Sequence, residues 1–309
     1  MTDKKHEWFE SESFWAQYAP VLFDAQRWAE APTVAEGILR IIGAPTGERS
    51  ETSAASSSSG ASQAPTVAEG VLRIIGAPTV EKPETAAASS SGAPAESASA
   101  HEPTGPSILD AGCGPGRISV ELASRGARVT GVDLIRPFLN AAHDSAEDEG
   151  VPLDLEQADL RTFVRPNAFD AAVSLYTSFG YCDTIEEDLQ ILRNIAASVK
   201  AGGWFILEML GREIAVRDFT EGEWFERGGF TVLTEFSVVG AWEGLRSRWM
   251  LIDADGRKID HEFVQRLYSA VELKRLMLAS GFSSVEIYGD FDFSPYNEKA
   301  RTMVLVARK

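Results

Sequence analysis

The sequence predicts an α/β fold built on a parallel, doubly wound sheet with an antiparallel cap, and three observations carry that expectation. From Ser107 onward, short apolar runs alternate with segments of helical period, the pattern of strands linked by crossover helices. A glycine-rich turn, Gly112-Cys-Gly-Pro-Gly116, joins the first of those runs to the first of those helices. Between Gly211 and Tyr268 the alternation stops and strand-like segments follow one another directly.

The elements follow in chain order. The start of the chain concentrates aromatics at broadly helical spacing, with Pro20 and Pro32 as punctuation: Trp8, Phe9, Phe14, Trp15, Tyr18, Phe23 and Trp28. Residues 1–42 therefore read as short helices packed on a core, or as an N-terminal helical lid whose aromatics close a pocket. An internal repeat comes next, PTVAEGILRIIGAPT at Pro32–Thr46 and PTVAEGVLRIIGAPT at Pro65–Thr79, differing only at Ile38 against Val71. One duplication is not a solenoid, which needs several stacked copies to bury its faces. The Ser/Ala-rich stretches behind each copy bury too little apolar surface to offset their ordering entropy. Residues 43–106 are expected to be a duplication-derived flexible insertion, with one helix copy docked on the core and the sequence silent on which.

Residues 107–210 and 269–309 are expected to form the core. Ile108–Asp110, Arg128–Asp133, Leu153–Gln157, Phe169–Leu175 and Trp204–Met209 read as strands, and Arg117–Arg125, Pro137–Glu149 and Thr184–Lys200 as helices. Thr184 and Glu187 form a capping box, and Gly202-Gly203 is read as the stop before the next strand. Residues 211–268 read as the antiparallel β cap, with strands at Phe230–Val239, Leu245–Asp253 and Lys258–Tyr268 and a hairpin turn at Asp255-Gly256. A second capping box, Ser269 and Glu272, opens a helix over Val271–Ser280, and strands at Ser284–Tyr288 and Thr302–Ala307 finish the chain.

Charge and composition narrow the function. With 46 acidic residues against 29 basic, the formal net charge is -17, and such a surface repels phosphate backbones and anionic lipid. Nucleic acid is disfavoured as a partner, and a small-molecule substrate or a basic partner fits better. No apolar run reaches the roughly 18 residues of a membrane span, and the start MTDKKHEWFESESFW lacks a secretory core. Cys113 and Cys182, the only 2 cysteines, have neither metal spacing nor a disulfide framework. A cytoplasmic location without a bound metal is the expectation.

The sharpest motif is Ile108-Leu-Asp-Ala-Gly-Cys-Gly-Pro-Gly-Arg117. Glycine there lets backbone approach a ligand closely and exposes amides at a helix start. The dinucleotide fingerprint wants another glycine where Arg117 stands, and no Gly-Lys-Ser/Thr of a phosphate loop follows. Some twenty residues on, Arg128-Val-Thr-Gly-Val-Asp133 ends a second strand in a carboxylate beside the turn, suited to both hydroxyls of a ribose. Asp159, in Gln157-Ala-Asp-Leu160, ends the next strand with another.

Strand–DAGCGPGR–helix followed by GVDL, QADL and FDAAVSLYTSFGY resembles the class I S-adenosylmethionine (SAM)-dependent methyltransferases. The resemblance spans Ile108–Met209 and Val271–Lys309, and the duplicated insertion departs from the pattern outside the motifs. TSFGY, RLYSAVEL and the aromatic start are similar to a bacterial small-molecule subgroup. It implies a Rossmann-like seven-stranded sheet, SAM as cofactor and S-adenosylhomocysteine as product. Carried over by position, Gly112 and Gly114 lie under the methionine part with Cys113 and Arg117 beside them, and Asp110 orients the turn. Asp133 takes the ribose, Asp159 the adenine, Leu134 and Leu160 flank the adenine, and Tyr176 completes the set.

A sulfonium methyl is already activated, so no residue type is obligatory on the acceptor side. Tyr181 and His261 are the candidates for catalysis, with Tyr18, Tyr181, Glu208, Arg266 and Tyr268 as substrate contacts. Leu175-Tyr-Thr-Ser178 is not the Asn/Asp-Pro-Pro-aromatic signature of base-amino methylation, and no carboxylate cluster suits a divalent ion. The expected reaction moves a methyl group from SAM to N or O of a small, polar molecule, with a homodimer through the β cap left open. Two other classes stay in view. A non-catalytic SAM-binding sensor or interaction module would retain product without turnover, and a nicotinamide-dependent oxidoreductase would bind NAD and not SAM.

Overall fold

The structure is a computed structural model that describes residues 8–23, 25–45 and 104–309. Seven strands form the central sheet: β1 (Ser107–Ala111), β2 (Arg128–Asp133), β3 (Asp154–Gln157), β4 (Phe169–Ser174), β5 (Val199–Met209), β10 (Ser284–Tyr288) and β11 (Met303–Arg308). Their order is β10-β11-β5-β4-β1-β2-β3. β1 runs parallel to both β2 and β4, so the chain reverses its winding direction there and opens a crevice at the carboxyl ends of β1 and β4. Crossovers are made by α3 (Arg117–Ser124), α4 (Arg136–Glu149) and α5 (Ile185–Ser198), and α7 (Ala270–Ala279) leads into β10. Both expected capping boxes, Thr184 with Glu187 and Ser269 with Glu272, form at the starts of α5 and α7.

Two features of this sheet differ from the sequence expectation. The sheet is mixed, because β11 is antiparallel to both β5 and β10. No helix separates β10 from β11, so the chain doubles back instead of crossing over. β5 also starts at Val199 and runs through Gly202-Gly203, the expected stop. Its pairing with β4 shifts register between Phe169 and Ala171. A Cβ on Gly203 would stand 2.7 Å from the Asp170 carbonyl, so the glycine serves an irregular strand and not a helix end.

The N-terminal segment forms a short turn (Trp8–Glu10), α1 (Glu12–Leu22) and α2 (Ala25–Ile42). Ser11 caps α1, its hydroxyl accepting from Phe14 N at 3.2 Å. Pro20 and Pro32 lie inside these helices and not between them. Each removes one backbone donor, a loss outweighed by the apolar faces the helices bury. The second half of α2 is the first repeat copy, and Ala35, Ile38 and Leu39 share a core with Ile118, Leu122 and Val306. The second copy, Pro65–Thr79, and the Ser/Ala-rich stretches lie outside the described residues.

The region 211–268 holds a helix, α6 (Arg212–Arg217), and a four-stranded antiparallel sheet in the order β6-β7-β8-β9. Its strands are β6 (Gly222–Arg227), β7 (Phe230–Val239), β8 (Gly244–Ile252) and β9 (Lys258–Arg266). Sequence reading missed α6 and β6, the latter because GEWFER has little apolar alternation. The inner face of this sheet, with Val232, Trp249, Leu251 and Phe263, packs on Phe14, Tyr18 and Val21 of α1. On the outer face Arg248 pairs with Glu235 and Asp260. Lid and cap thus share one apolar core above the carboxyl edge of the main sheet.

Candidate functional site

β1 ends at Ala111 and the chain turns through Gly112 and Gly114, at φ +81° and +54°, before α3 begins. A Cβ on Gly112 would also sit 2.8 Å from that of Ser178, so the turn needs glycine for shape and for space. The amides of Gly112 and Cys113 donate to the Val132 carbonyl, which locks the turn onto β2. Asp133 then closes the arrangement. Its Oδ2 accepts the Gly114 amide at 2.8 Å and its Oδ1 the Ile135 amide at 2.9 Å. A carboxylate offers about four acceptor positions, more than these two amides use. Enclosure raises the Asp133 pKa, against the lowering effect of these amides.

Asp110 lies deeper. Burial pushes its carboxyl up to about 6, although Ser119 Oγ donates to it at 2.6 Å. Burial also raises the Cys113 thiol well above its ordinary range, which leaves it protonated and without nucleophilic character. After β4, Tyr176 and Thr177 adopt left-handed backbone angles, φ 53° and 63°, uncommon for residues of their size. Glu208 holds this turn, accepting the Tyr176 amide at 2.6 Å and the Thr302 hydroxyl. The turn brings the Tyr176 ring to the Arg117 guanidinium, 3.8 Å from carbon to ring centroid.

These groups surround one cavity of about 230 Å³ at the carboxyl edge of the sheet. Every residue the sequence assigned to the cofactor lines it: Asp110, Gly112, Cys113, Gly114, Arg117, Asp133, Leu134, Asp159, Leu160 and Tyr176. The opposite wall is aromatic. Trp8, Phe9, Trp15 and Tyr18 reach it from the lid, Tyr181 from the loop after β4, and Trp249 and Phe263 from the cap. Tyr18 donates its hydroxyl to the Trp249 carbonyl at 2.7 Å, and Trp8 stacks on Phe263 with centroids 4.6 Å apart.

The acceptor-side candidates divide. Tyr18 and Tyr181 line the cavity, whereas His261, Glu208, Arg266 and Tyr268 do not. His261 lies beside Gln17, edge-on to Phe14 and Tyr18, so those rings stand where it was expected to meet substrate. Glu208 is occupied by the β4 turn. Arg266 and Tyr268 both bond the buried Asp188, at 3.2 and 2.7 Å, and Arg266 also donates to the Cys182 and Asp183 carbonyls. Their work is to hold the loop that carries Tyr181. Sequence reading overlooked Trp249 and Phe263, although alternation along their strands places both inward. It also overlooked Arg161, whose partner Glu10 is 151 positions away. Among the described residues no group of three or more His, Cys, Asp or Glu is placed to hold a metal, and no helix is long and apolar enough to cross a membrane.

A doubly wound sheet with a glycine turn after β1 and a carboxylate after β2 defines a nucleoside-binding α/β enzyme class. Comparison with known proteins narrows it. Residues 108–203 match the family described as methyltransferase domain. The chain is 33% identical over 110 residues to a ubiquinone biosynthesis O-methyltransferase of Chromobacterium violaceum, covering 35% of this chain and 46% of that protein. It therefore spans about half the length of that relative. It is 28% identical over 234 residues to the cypemycin N-terminal methyltransferase of a Streptomyces species, covering 68% of this chain and 86% of that one. In fold it is similar to a SAM-dependent methyltransferase structure from Clostridium acetobutylicum, with a TM-score of 0.58, 15% identity, and coverage of 65% and 83%. Over residues 108–203 the chain is thus similar to methyltransferase domains, and its fold is similar to that of a SAM-dependent methyltransferase.

Proposed function

We propose that this chain binds SAM and transfers its methyl group to a nitrogen or oxygen of a small molecule. The observation that carries the proposal is Asp133, a carboxylate on the cavity wall that the Gly114 and Ile135 amides hold in place beside the glycine turn. That pattern fits the paired hydroxyls of a ribose. The positive-φ glycine turn would take the amino-acid part, with Arg117 near it, and Asp159 with Leu134 and Leu160 would take the adenine. When bound, SAM supplies a methyl group on a positively charged sulfur, already activated for displacement.

The protein's own contribution is positioning and exclusion of water. The aromatic wall excludes water and suits a small, polar acceptor that carries a flat or apolar portion beside its reacting atom. Burial raises the hydroxyls of Tyr18 and Tyr181 and the thiols of Cys113 and Cys182, so these groups keep their protons at neutral pH. None of them serves as a general base there. An acceptor that enters as an unprotonated amine or an ionised hydroxyl needs no base from these four groups. The two relatives named above, one an O-methyltransferase and one an N-terminal methyltransferase, support keeping both atoms in the proposal. The test is to screen amines and phenols for acceptor-dependent release of S-adenosylhomocysteine. Release with at least one acceptor supports the proposal, and SAM bound without release by any of them contradicts it.

A further inference from the structure

Arg161 joins three carboxylates from three parts of the chain. Its Nη2 lies 2.9 Å from Glu10 Oε1 in the first turn of the lid and 2.7 Å from Asp159 Oδ2. Its Nη1 lies 3.3 Å from Glu187 Oε1 at the start of α5. Its Nε donates to both oxygens of Asp159, and its backbone amide donates to Asp159 Oδ1 at 2.8 Å. The guanidinium also lies over the Phe9 ring, 5.5 Å from its centroid. Arg161, Asp159, Trp8 and Phe9 line the cavity, and Glu10 does not.

We infer that Arg161 is a positioning residue that orients Asp159 toward the cofactor and ties the lid's first turn to that same carboxylate. The inference rests on the SAM-binding reading of the cavity. Three N–H groups of Arg161 make four contacts with Asp159, two on each oxygen, and so fix the orientation in which that carboxylate meets a ligand. The planar guanidinium makes this possible, since a fork of donors can hold a carboxylate at two points and still reach a second one. Glu10 shares the same Nη2 with Asp159, and the adjoining Trp8 and Phe9 line the cavity. Lid placement and cofactor binding are therefore energetically coupled through one side chain. A carboxylate outside the cavity should then affect cofactor affinity.

The test is calorimetric titration of the full chain with S-adenosylhomocysteine. Glu10→Gln should raise the dissociation constant about three- to fivefold, the scale of one ion pair near the surface. Arg161→Gln should raise it about tenfold or more, and Arg161→Lys, which keeps the charge, should recover part of that loss. In the double variant, Glu10→Gln should add less than about twofold to the Arg161→Gln effect, because the path is already cut. Thermal melts identify any variant that fails to fold, and if Arg161→Gln does, Glu10→Gln and Arg161→Lys decide the matter. Wild-type affinity in Glu10→Gln, or fully additive effects, overturns the coupling while leaving the SAM reading intact. Failure of the wild type to bind S-adenosylhomocysteine overturns both.

Discussion

Ser119 Oγ donates to the Asp110 carboxylate at 2.6 Å, with both side chains buried between β1 and α3. The bond ties the strand before the glycine turn to the helix after it, and so fixes the turn from below. Desolvation outweighs it in setting the acid's titration, pushing Asp110 up to about 6 from an ordinary 3.8. The fold therefore favours the protonated form. The resulting stabilisation is complete below the unfolded pKa and is lost as pH rises through about 6. A shift of this size corresponds to about 3 kcal/mol. Relative to Asp110→Asn, the wild type should lose about 2–3 kcal/mol of unfolding free energy between pH 4 and 7, read by urea denaturation. Glu223, raised to about 7, acts in the same direction but is common to both proteins and cancels. A difference that stays flat across this range would mean that Asp110 is solvated.

The repeat gives a second prediction. The first copy is docked through Ile38 and Leu39, so Ile38→Ala should cost about 2–4 kcal/mol of stability. Deleting Gly43 through Ile75 joins Ile42 to Gly76 and keeps a glycine where Gly43, at φ +68°, ends α2. Shortening a connecting segment changes its closure entropy only slowly. Thermal midpoint and S-adenosylhomocysteine affinity should correspond to a change below about 1 kcal/mol. A larger loss in the deletion would show that the removed stretch contributes packing.

On the acceptor side the geometry separates two residues that the sequence treated alike. His261→Ala should leave turnover within about threefold of wild type, since Phe14 and Tyr18 stand between it and the cavity side. Tyr181→Phe should alter KM or kcat by about tenfold or less and leave the shape of the pH profile unchanged, because its hydroxyl stays protonated. Steady-state kinetics with an acceptor found by screening provide the measurement. Loss of a titration limb in Tyr181→Phe would make it the base after all.

The parts of this account that were legible in the sequence are those whose causes are local. The glycine turn, the strand-end carboxylates and both capping boxes depend on residues within a few positions of one another, and each forms as read. Features that depend on distant partners were not legible. Glu208 looked like a substrate contact, but its partners Tyr176 and Thr302 are 32 and 94 positions away and turn it into a brace. Asp188 captures Arg266 and Tyr268 in the same way, across about eighty residues of chain. The docked repeat could not be chosen from sequence because Ile38 and Val71 differ by a single methylene, about 1 kcal/mol of burial at most. The antiparallel return of β11 was hidden because its strand period is the same in either direction.

Calorimetry with SAM on wild type and Asp133→Ala decides whether Asp133 holds the ribose of SAM in this cavity. Removing a charged acceptor from two ligand hydrogen bonds should cost about 1.5–3 kcal/mol, a ten- to hundredfold weaker dissociation constant. One SAM should bind per wild-type chain, with that loss in a variant whose thermal unfolding remains cooperative. SAM binding of equal strength in both proteins would contradict it, and would place the ribose elsewhere.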